Sequence, residues 1–301
     1  VIRSQVMLLK PSRQQEFLFR GSAGLRRFAW NWAMAFSKRY YGLFKRSVSA
    51  FTLQTFWNKI KARRFPWARD YSKLIPEDAF KSLERAMKAA FARIKKCKKP
   101  GFPRFKKRGT SDSFNVVPAN QFPLTRYGKR FNIPRIGKVR FQGKLRWPEG
   151  KQLVGQIKSI AGKWYLVLTY ELPDPQKLPE DRQSCGVDLG CKTFATVVSK
   201  GQLVQSVEPP KPYARAKRKL GRLQRVLSRR KNGSKRREKA KLKVAKLHKR
   251  ISDIRSNFLH QLTCRLVRNY GRVGIEDLAV SAMSRGWLSG TIGDMGFYEF
   301  R

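Results

Sequence analysis

Cys185-Gly186-Val187-Asp188-Leu189-Gly190, continuing as Cys191-Lys192-Thr193-Phe194-Ala195-Thr196-Val197, is the stretch that organises this 301-residue chain. A short apolar run carrying one acid ends at a glycine turn. Residues 193–199 and 203–207 then read as two further strands joined at Lys200-Gly201, and Pro209, Pro210 and Pro212 close the meander. A long helical hairpin follows. Leu220, Leu223 and Leu227 mark its apolar face, Asn232-Gly233-Ser234 supplies a turn and an N-cap, and Leu247, Ile251, Ile254, Phe258 and Leu262 continue the face at helical spacing. After Tyr270-Gly271, residues 272–276 read as another strand, ending in a second acid within Val273-Gly274-Ile275-Glu276-Asp277-Leu278. Residues 291–301 start an amphipathic helix with Met295 and Tyr298 on its apolar face.

Towards the N-terminus the texture differs. Residues 2–9 read as a strand ending at Lys10-Pro11, and Ser12 fits a helix N-cap. Helical periodicity covers 16–44 with a break expected near Gly21–Gly24, then 52–63 and 77–95, where Phe80, Leu83, Met87 and Phe91 keep a 3-4-4 rhythm. From Pro100 to Pro173 glycines, prolines and short alternating runs (131–133, 139–141, 156–160, 164–170) predict a small antiparallel β unit into which the first strand pairs, with a proline-bearing linker at 173–184.

Charge narrows the function. There are 68 Lys and Arg against 19 Asp and Glu, a net charge of +49, with 20 Phe, 9 Tyr and 7 Trp, too aromatic for a disordered basic tail. So much like charge destabilises a compact state unless a polyanion answers it, and nucleic acid does so. No run approaches the roughly 18 apolar residues of a membrane span, and no secretory signal is visible, so a reducing cytosol or nucleoid is the expected compartment. Cys97, Cys185, Cys191 and Cys264 are scattered without a CxxC pair, and two histidines do not make a metal site. Residues 211–250 hold 19 Lys and Arg and one acid, Glu238. Residues 93–108 interleave Phe102 and Phe105 with cations, a pattern suited to RNA or single strands.

With acids so scarce, one on a buried strand needs a reason, because an unpaired buried carboxylate is costly. Asp188 and Glu276 are the candidates. A strand, a hairpin, long helices and a last strand, with an acid on the first and the last, form the layout of an RNase H-like nuclease core. There the two acids, 88 positions apart, would share a pair of Mg²⁺ ions about 4 Å apart that activate water on a phosphodiester. The competing readings are a turn or cap residue before Gly190 for Asp188 and an ion pair with a nearby arginine for Glu276.

The chain resembles the TnpB family of transposon-encoded RNA-guided nucleases, related to type V CRISPR effectors. The resemblance is carried by LRRFAWNWAM (25–34), KKPGFPRFKKRG (98–109), CGVDLGCKTFATV (185–197), the hairpin 220–271 and VGIEDLAVSAM (273–283), in family order across essentially the whole chain. It implies a mixed α and β multidomain fold. A β-barrel wedge takes residues 1–11 and 100–182, an inserted helical recognition domain 12–99, and a RuvC-type, RNase H-like nuclease domain 183–301, including the basic hairpin 211–268. It implies Asp188 and Glu276 as catalytic, Mg²⁺-binding carboxylates, a guide RNA from the transposon end, and double-stranded target DNA cut beside a short adjacent motif in a prokaryotic cell.

Nucleic-acid contacts are expected from Arg104, Lys106, Lys107 and Arg108, and from Arg222, Arg225, Arg229, Arg230, Lys231, Lys235, Arg236 and Arg237, with motif reading near Lys73, Glu77 and Lys81. The family carries a four-cysteine zinc insertion and a third catalytic aspartate beyond the point where this sequence stops, so the chain is expected to be incomplete at that end. Asp294 and Glu299 are set aside as substitutes, since both fall on an ordinary connecting helix of the family. The alternative function is a nuclease-dead RNA-guided DNA-binding protein, repressor-like. A general RNA chaperone and a strand-transferring transposase find no support beyond the basic hairpin and the shared nuclease layout.

Overall fold

The computed structural model describes residues 1–96, 101, 103–109, 112–117, 126–174, 182–286 and 289–301. Two compact units divide the chain, residues 1–174 and 175–301.

In the first unit, strand β1 (Ile2–Lys10) leads into three helices, α1 (Arg13–Phe44), α2 (Ala50–Arg64) and α3 (Leu74–Lys95), with a 3₁₀ turn at Pro66–Asp70 between the last two. The strands β2 (Ser113–Val117), β3 (Arg126–Tyr127), β4 (Arg130–Ile133), β5 (Gly137–Gln142), β6 (Lys151–Ile160) and β7 (Lys163–Glu171) follow. They join β1 in one antiparallel sheet of order β2-β6-β7-β1-β5-β4-β3. The first strand is therefore central, and the helices are an insertion between it and the remaining strands. Among the described residues the sheet is a curled half-barrel, with β2 and β3 at its edges, where the resemblance implies a small β-barrel. The hairpin turn at Ala161-Gly162 puts both residues at positive φ (50° and 77°), the twist a two-residue hairpin requires.

Helix α1 starts where the sequence places it. Ser12 accepts from the Gln15 N–H while the Gln15 side chain accepts from Ser12 N–H, a reciprocal capping box. The break expected at Gly21–Gly24 does not occur, and α1 runs through it for 32 residues. A Cβ at Gly21 would overlap the Tyr71 ring and hydroxyl, so this glycine admits a close neighbour and does not end a helix.

Helices and sheet share one core. Phe19 of α1 meets Trp164 of β7 at 5.2 Å and Phe114 of β2 at 5.9 Å between ring centroids. A polar network crosses the same boundary. Arg26 donates to Asp78 (2.9 Å), which also accepts from Asn115 (2.8 Å), and Asn115 accepts from Gln156 (3.0 Å). The Arg26–Asp78 pair is largely buried, so each charge is satisfied by its partner and neither is free to face solvent.

The second unit has a four-stranded sheet, β8 (Ser184–Leu189), β9 (Ala195–Ser199), β10 (Gln202–Val207) and β11 (Arg272–Ile275), in the order β10-β9-β8-β11. The first three form the expected meander, and β11 joins β8 in parallel. The connection is the hairpin of α4 (Pro212–Ser228) and α5 (Lys235–Asn269), with Ser234 capping α5. Three short helices follow, α6 (Val280–Met283), α7 (Ser289–Met295) and α8 (Phe297–Phe300).

Leu259, Leu262 and Leu266 of α5 pack with Val187, Phe194, Val197, Met295 and Phe297. In the outer half of the hairpin the stripe is thinner: Leu220 and Ile251 are buried, Leu223, Leu227 and Leu247 half-buried, and Ile254 exposed. The single helix expected at 291–301 is split by Gly296 (φ 76°), which packs against Arg255. As a result Met295, Phe297 and Phe300 turn inward and Tyr298 outward. No helix among the described residues is long and apolar enough to cross a membrane.

Asp294 is 4% exposed and accepts from the backbone N–H groups of Tyr213 (2.8 Å) and Ala214 (3.0 Å). It thus caps α4, whose own preceding residue, Lys211, offers no cap. Asp294→Ala should cost about 1–2 kcal/mol through two orphaned N–H groups and a lost charge at a helix N-terminus, and Asp294→Asn less. Urea unfolding of the three proteins measures the order, and equal midpoints would deny the cap.

Candidate functional site

The β8–β11 pairing puts Val187 opposite Ile275 and Gly186 opposite Gly274. The residues that follow this last pair are Asp188, still within β8, and Glu276, just past the end of β11. Parallel strands lie about 4.8 Å apart, so residues 88 positions apart in sequence become neighbours at the end of one sheet. Strand alternation sends Cys185, Val187 and Leu189 into the core and leaves Asp188 on the opposite face, beside Gly186 and Gly274. This overturns the premise that led to them: both acids are exposed, not buried.

Their competing roles are not taken up either. Among the described residues neither carboxylate accepts a hydrogen bond or joins an ion pair. The ion pair with an arginine belongs instead to Asp277, which meets Arg301. Two unengaged carboxylates side by side repel, and a cation between them removes the repulsion. Mg²⁺ typically takes one or two carboxylates together with waters and phosphate oxygens, a donor set that this pair supplies. No group of three or more His, Cys, Asp or Glu occurs among the described residues, so the two-ion site expected from sequence has here a single donor pair. The other acids at that end are engaged elsewhere: Asp294 caps α4, and Glu299 accepts from Ser256 (2.6 Å) and faces Arg255 (3.5 Å).

On the hairpin, Arg222, Arg225, Arg229, Arg230, Lys231, Lys235 and Arg236 are exposed around the turn between α4 and α5. Arg237 is not available in the same way. Its guanidinium donates to the carbonyls of Leu227 and Arg230, both at 2.8 Å, and so closes the C-terminus of α4. Sequence spacing alone could not separate it from its neighbours.

In the first unit, Arg104, Lys107 and Arg108 are exposed on a segment strapped along α1. Trp30 donates its indole N–H to the Arg104 carbonyl (3.1 Å), and the Asn31 amide both donates to and accepts from the Lys106 backbone (3.0 and 2.8 Å). Lys106 departs from the expectation of a free phosphate binder: its ammonium lies 3.8 Å from the centroid of the Trp30 ring. A cleft of about 400 Å³ lies here, lined by Arg26, Arg27, Arg104, Lys106 and Lys107. Arg26 and Arg27 were missed in the sequence because they sit inside an apolar helical pattern. Both are already paired, Arg26 with Asp78 and Arg27 with Asp112 (2.8 Å).

Lys73 lines a second cleft, about 640 Å³, together with Lys61, Arg69, Arg135, Trp57 and Tyr71. Glu77 and Lys81 instead pair with each other along α3 (2.6 Å).

Burial, and then the Arg26 charge, lower the Lys106 pKa from 10.5 to about 8, with Asp78 opposing. Below pH 8 Lys106 is charged in both folded and unfolded chains, and the desolvation cost is carried in full. Between about pH 8 and 10.5 the unfolded chain binds a proton that the folded one does not, so stability rises with pH. The gap in urea midpoint between Lys106→Met and the unaltered chain should therefore narrow from pH 7.5 to pH 10; a constant gap would show that Lys106 titrates alike in both states. On the hairpin, neutralising Arg229, Arg230 and Lys231 to Gln should reduce the slope of log affinity against log salt for duplex DNA by up to about 2–3. Arg237→Gln should leave that slope unchanged and lower the unfolding midpoint.

Comparison with known proteins is consistent across the chain. The OrfB_IS605 family model, described as "Probable transposase", matches residues 167–286, and its companion helix-turn-helix model matches residues 7–46. The chain is 31% identical to "Putative RNA-guided DNA endonuclease InsQ" of Escherichia coli strain K12, over 96% of this chain and 69% of that protein. It is 29% identical to a "Putative RNA-guided DNA endonuclease" of Streptomyces pristinaespiralis, over 97% and 71%. A cryo-EM structure of a Cas12f1–sgRNA–target DNA complex aligns over 100% of this chain and 82% of that one, at 13% identity and a TM-score of 0.34.

Proposed function

This chain belongs to the TnpB family, and on that premise we propose that it is a transposon-associated RNA-guided DNA endonuclease. It binds a guide RNA from the transposon end and cleaves matched double-stranded DNA beside a short adjacent motif, by metal-dependent hydrolysis of a phosphodiester. The observation that supports this reading is the register of β8 and β11, whose last pair, Val187 and Ile275, is followed directly by Asp188 and Glu276, both exposed and unengaged among the described residues. The sheet order, three antiparallel strands with a parallel fourth reached through helices, supports an RNase H-like, RuvC-type assignment for residues 183–301. The central position of β1 supports reading residues 1–11 with 100–182 as the wedge and 12–99 as the inserted recognition domain.

When bound, Mg²⁺ supplies an acidified water and charge neutralisation at the phosphodiester. Asp188 and Glu276 hold that cation. Gly186 and Gly274 beside them carry no side chains, so the backbone of a nucleic-acid strand can come close to the acids. The exposed cations of the hairpin take phosphates without reading sequence, and the guide supplies the sequence by pairing.

A second reading, guided binding without cutting, is favoured by one observation: the acids assemble as a pair, with no third acid beside them among the described residues. The test co-expresses the chain and its Asp188→Ala variant with the transposon-end RNA, adds Mg²⁺ and a matched plasmid, and scores binding and cutting separately. We expect guided binding in both proteins and cutting in the unaltered chain alone. Binding without cutting in either would select the second reading, and cutting that survives Asp188→Ala would overturn the site.

A further inference from the structure

Between Glu16 and Asp70 lie 53 residues without a single acid, holding 12 Lys and Arg and 14 aromatic residues. Much of that aromatic content serves the core, as Phe19 and Trp57 do. Part of the rest forms a ladder that starts against the core and runs out along α1. Trp32, Phe36, Tyr40 and Phe44 follow one another at i, i+4, with ring centroids 5.5, 6.2 and 4.7 Å apart and interplanar angles of 29°, 22° and 45°. Phe56 of α2 flanks Phe36 at 4.9 Å. Exposure grows along the ladder: Trp32, Phe36 and Tyr40 are half-buried, Phe56 is 41% and Phe44 58% exposed.

Cations frame it. Arg39, Lys45 and Arg46 are exposed, and Lys38 lies 5.0 Å over the ring of Phe105, itself 49% exposed. Glu84, the carboxylate that reaches the start of α2, is already held by Lys88 (3.0 Å) and the Ala50 N–H (3.3 Å). Exposed ring faces of this extent are expensive unless something covers them. A second copy of the chain is a poor cover, because a two-fold contact would face this acid-free cationic surface with another copy of itself. Unpaired bases offer ring faces to stack and phosphates for the cations, whereas bases inside a duplex are already stacked on each other.

We propose that the tip formed by the end of α1 and the start of α2 is a stacking platform for an unpaired DNA strand. This rests on the guided-nuclease reading, in which pairing of the guide to one DNA strand leaves the other without a partner. Phe44 and Phe56 supply the exposed faces at the end and flank of the ladder, and Arg39, Lys45 and Arg46 the phosphate contacts.

The test uses the full chain and a 20-nucleotide single-stranded DNA carrying 2-aminopurine, whose fluorescence is quenched by stacking, with an RNA of the same sequence and the DNA duplex as comparisons. The variant pair is Phe44→Leu/Phe56→Leu, which keeps apolar bulk and removes the rings. A second pair, Phe44→Tyr/Phe56→Tyr, restores them, and circular dichroism checks folding. The expected result is quenching on single-stranded DNA that is lost in the Leu pair and kept in the Tyr pair, with about a tenfold weaker affinity in the Leu pair and unchanged duplex affinity. Unchanged quenching in the Leu pair would overturn the proposal. So would loss confined to the RNA, or a dimer that becomes monomeric in the Leu pair while DNA affinity stays the same. Failure of the guided-nuclease reading is read separately, as absent guide-dependent binding to a matched plasmid by the unaltered chain.

Discussion

Carboxylates are the scarce resource of this molecule, and where each one goes decides what the rest of the chain can do. With 19 acids against 68 cations, self-repulsion opposes folding throughout. The structure uses many of its acids to hold elements together. Asp78 links α1, α3 and β2 through Arg26 and Asn115; Asp112 holds Arg27; Glu84 serves α2 and α3; Asp294 caps α4; Glu299 ties the last helix to α5. Several other acids hold nothing among the described residues; Asp188 and Glu276 differ from them in directly following the last register pair of β8 and β11.

The cations divide in the same way. Arg237 closes a helix end, Lys106 lies on an indole, and Arg26 is locked to Asp78. These positively charged groups act as structure, and a formal charge of +49 overstates what is offered to a polyanion. What remains, notably the exposed arginines and lysines around the hairpin turn, is concentrated on a long antiparallel pair of helices whose outer apolar stripe is only half covered. The outer half of the hairpin contributes little core of its own, so its cations can crowd at a modest cost in stability; neutralising phosphates would lower that cost further.

Local signals were the legible part of the fold. Ser12 and Ser234 cap the helices they announce, the alternating runs at 131–133, 139–141, 156–160 and 164–170 are strands, and the meander at 185–207 forms as read. The failures share a cause. Gly21 looked like a break and is an opening for Tyr71, 50 residues later. Gly296, read as part of one helix, splits it where Arg255 packs. In each case the deciding contact is remote in sequence, and a glycine reads the same whether it bends the chain or admits a neighbour.

Sequence by itself determined the succession of helices and strands, the polyanion-seeking charge, and the motifs around Asp188 and Glu276, because propensity, capping and periodicity act within a few residues. Tertiary structure alone decided that the strands bearing those two acids pair in parallel, that both acids are exposed, and that Arg237 and Lys106 serve the fold. The physical reason is that strand register and side-chain engagement are set by packing between segments far apart in the chain. A one-residue slip of β11 against β8 would send Glu276 to the opposite face from Asp188.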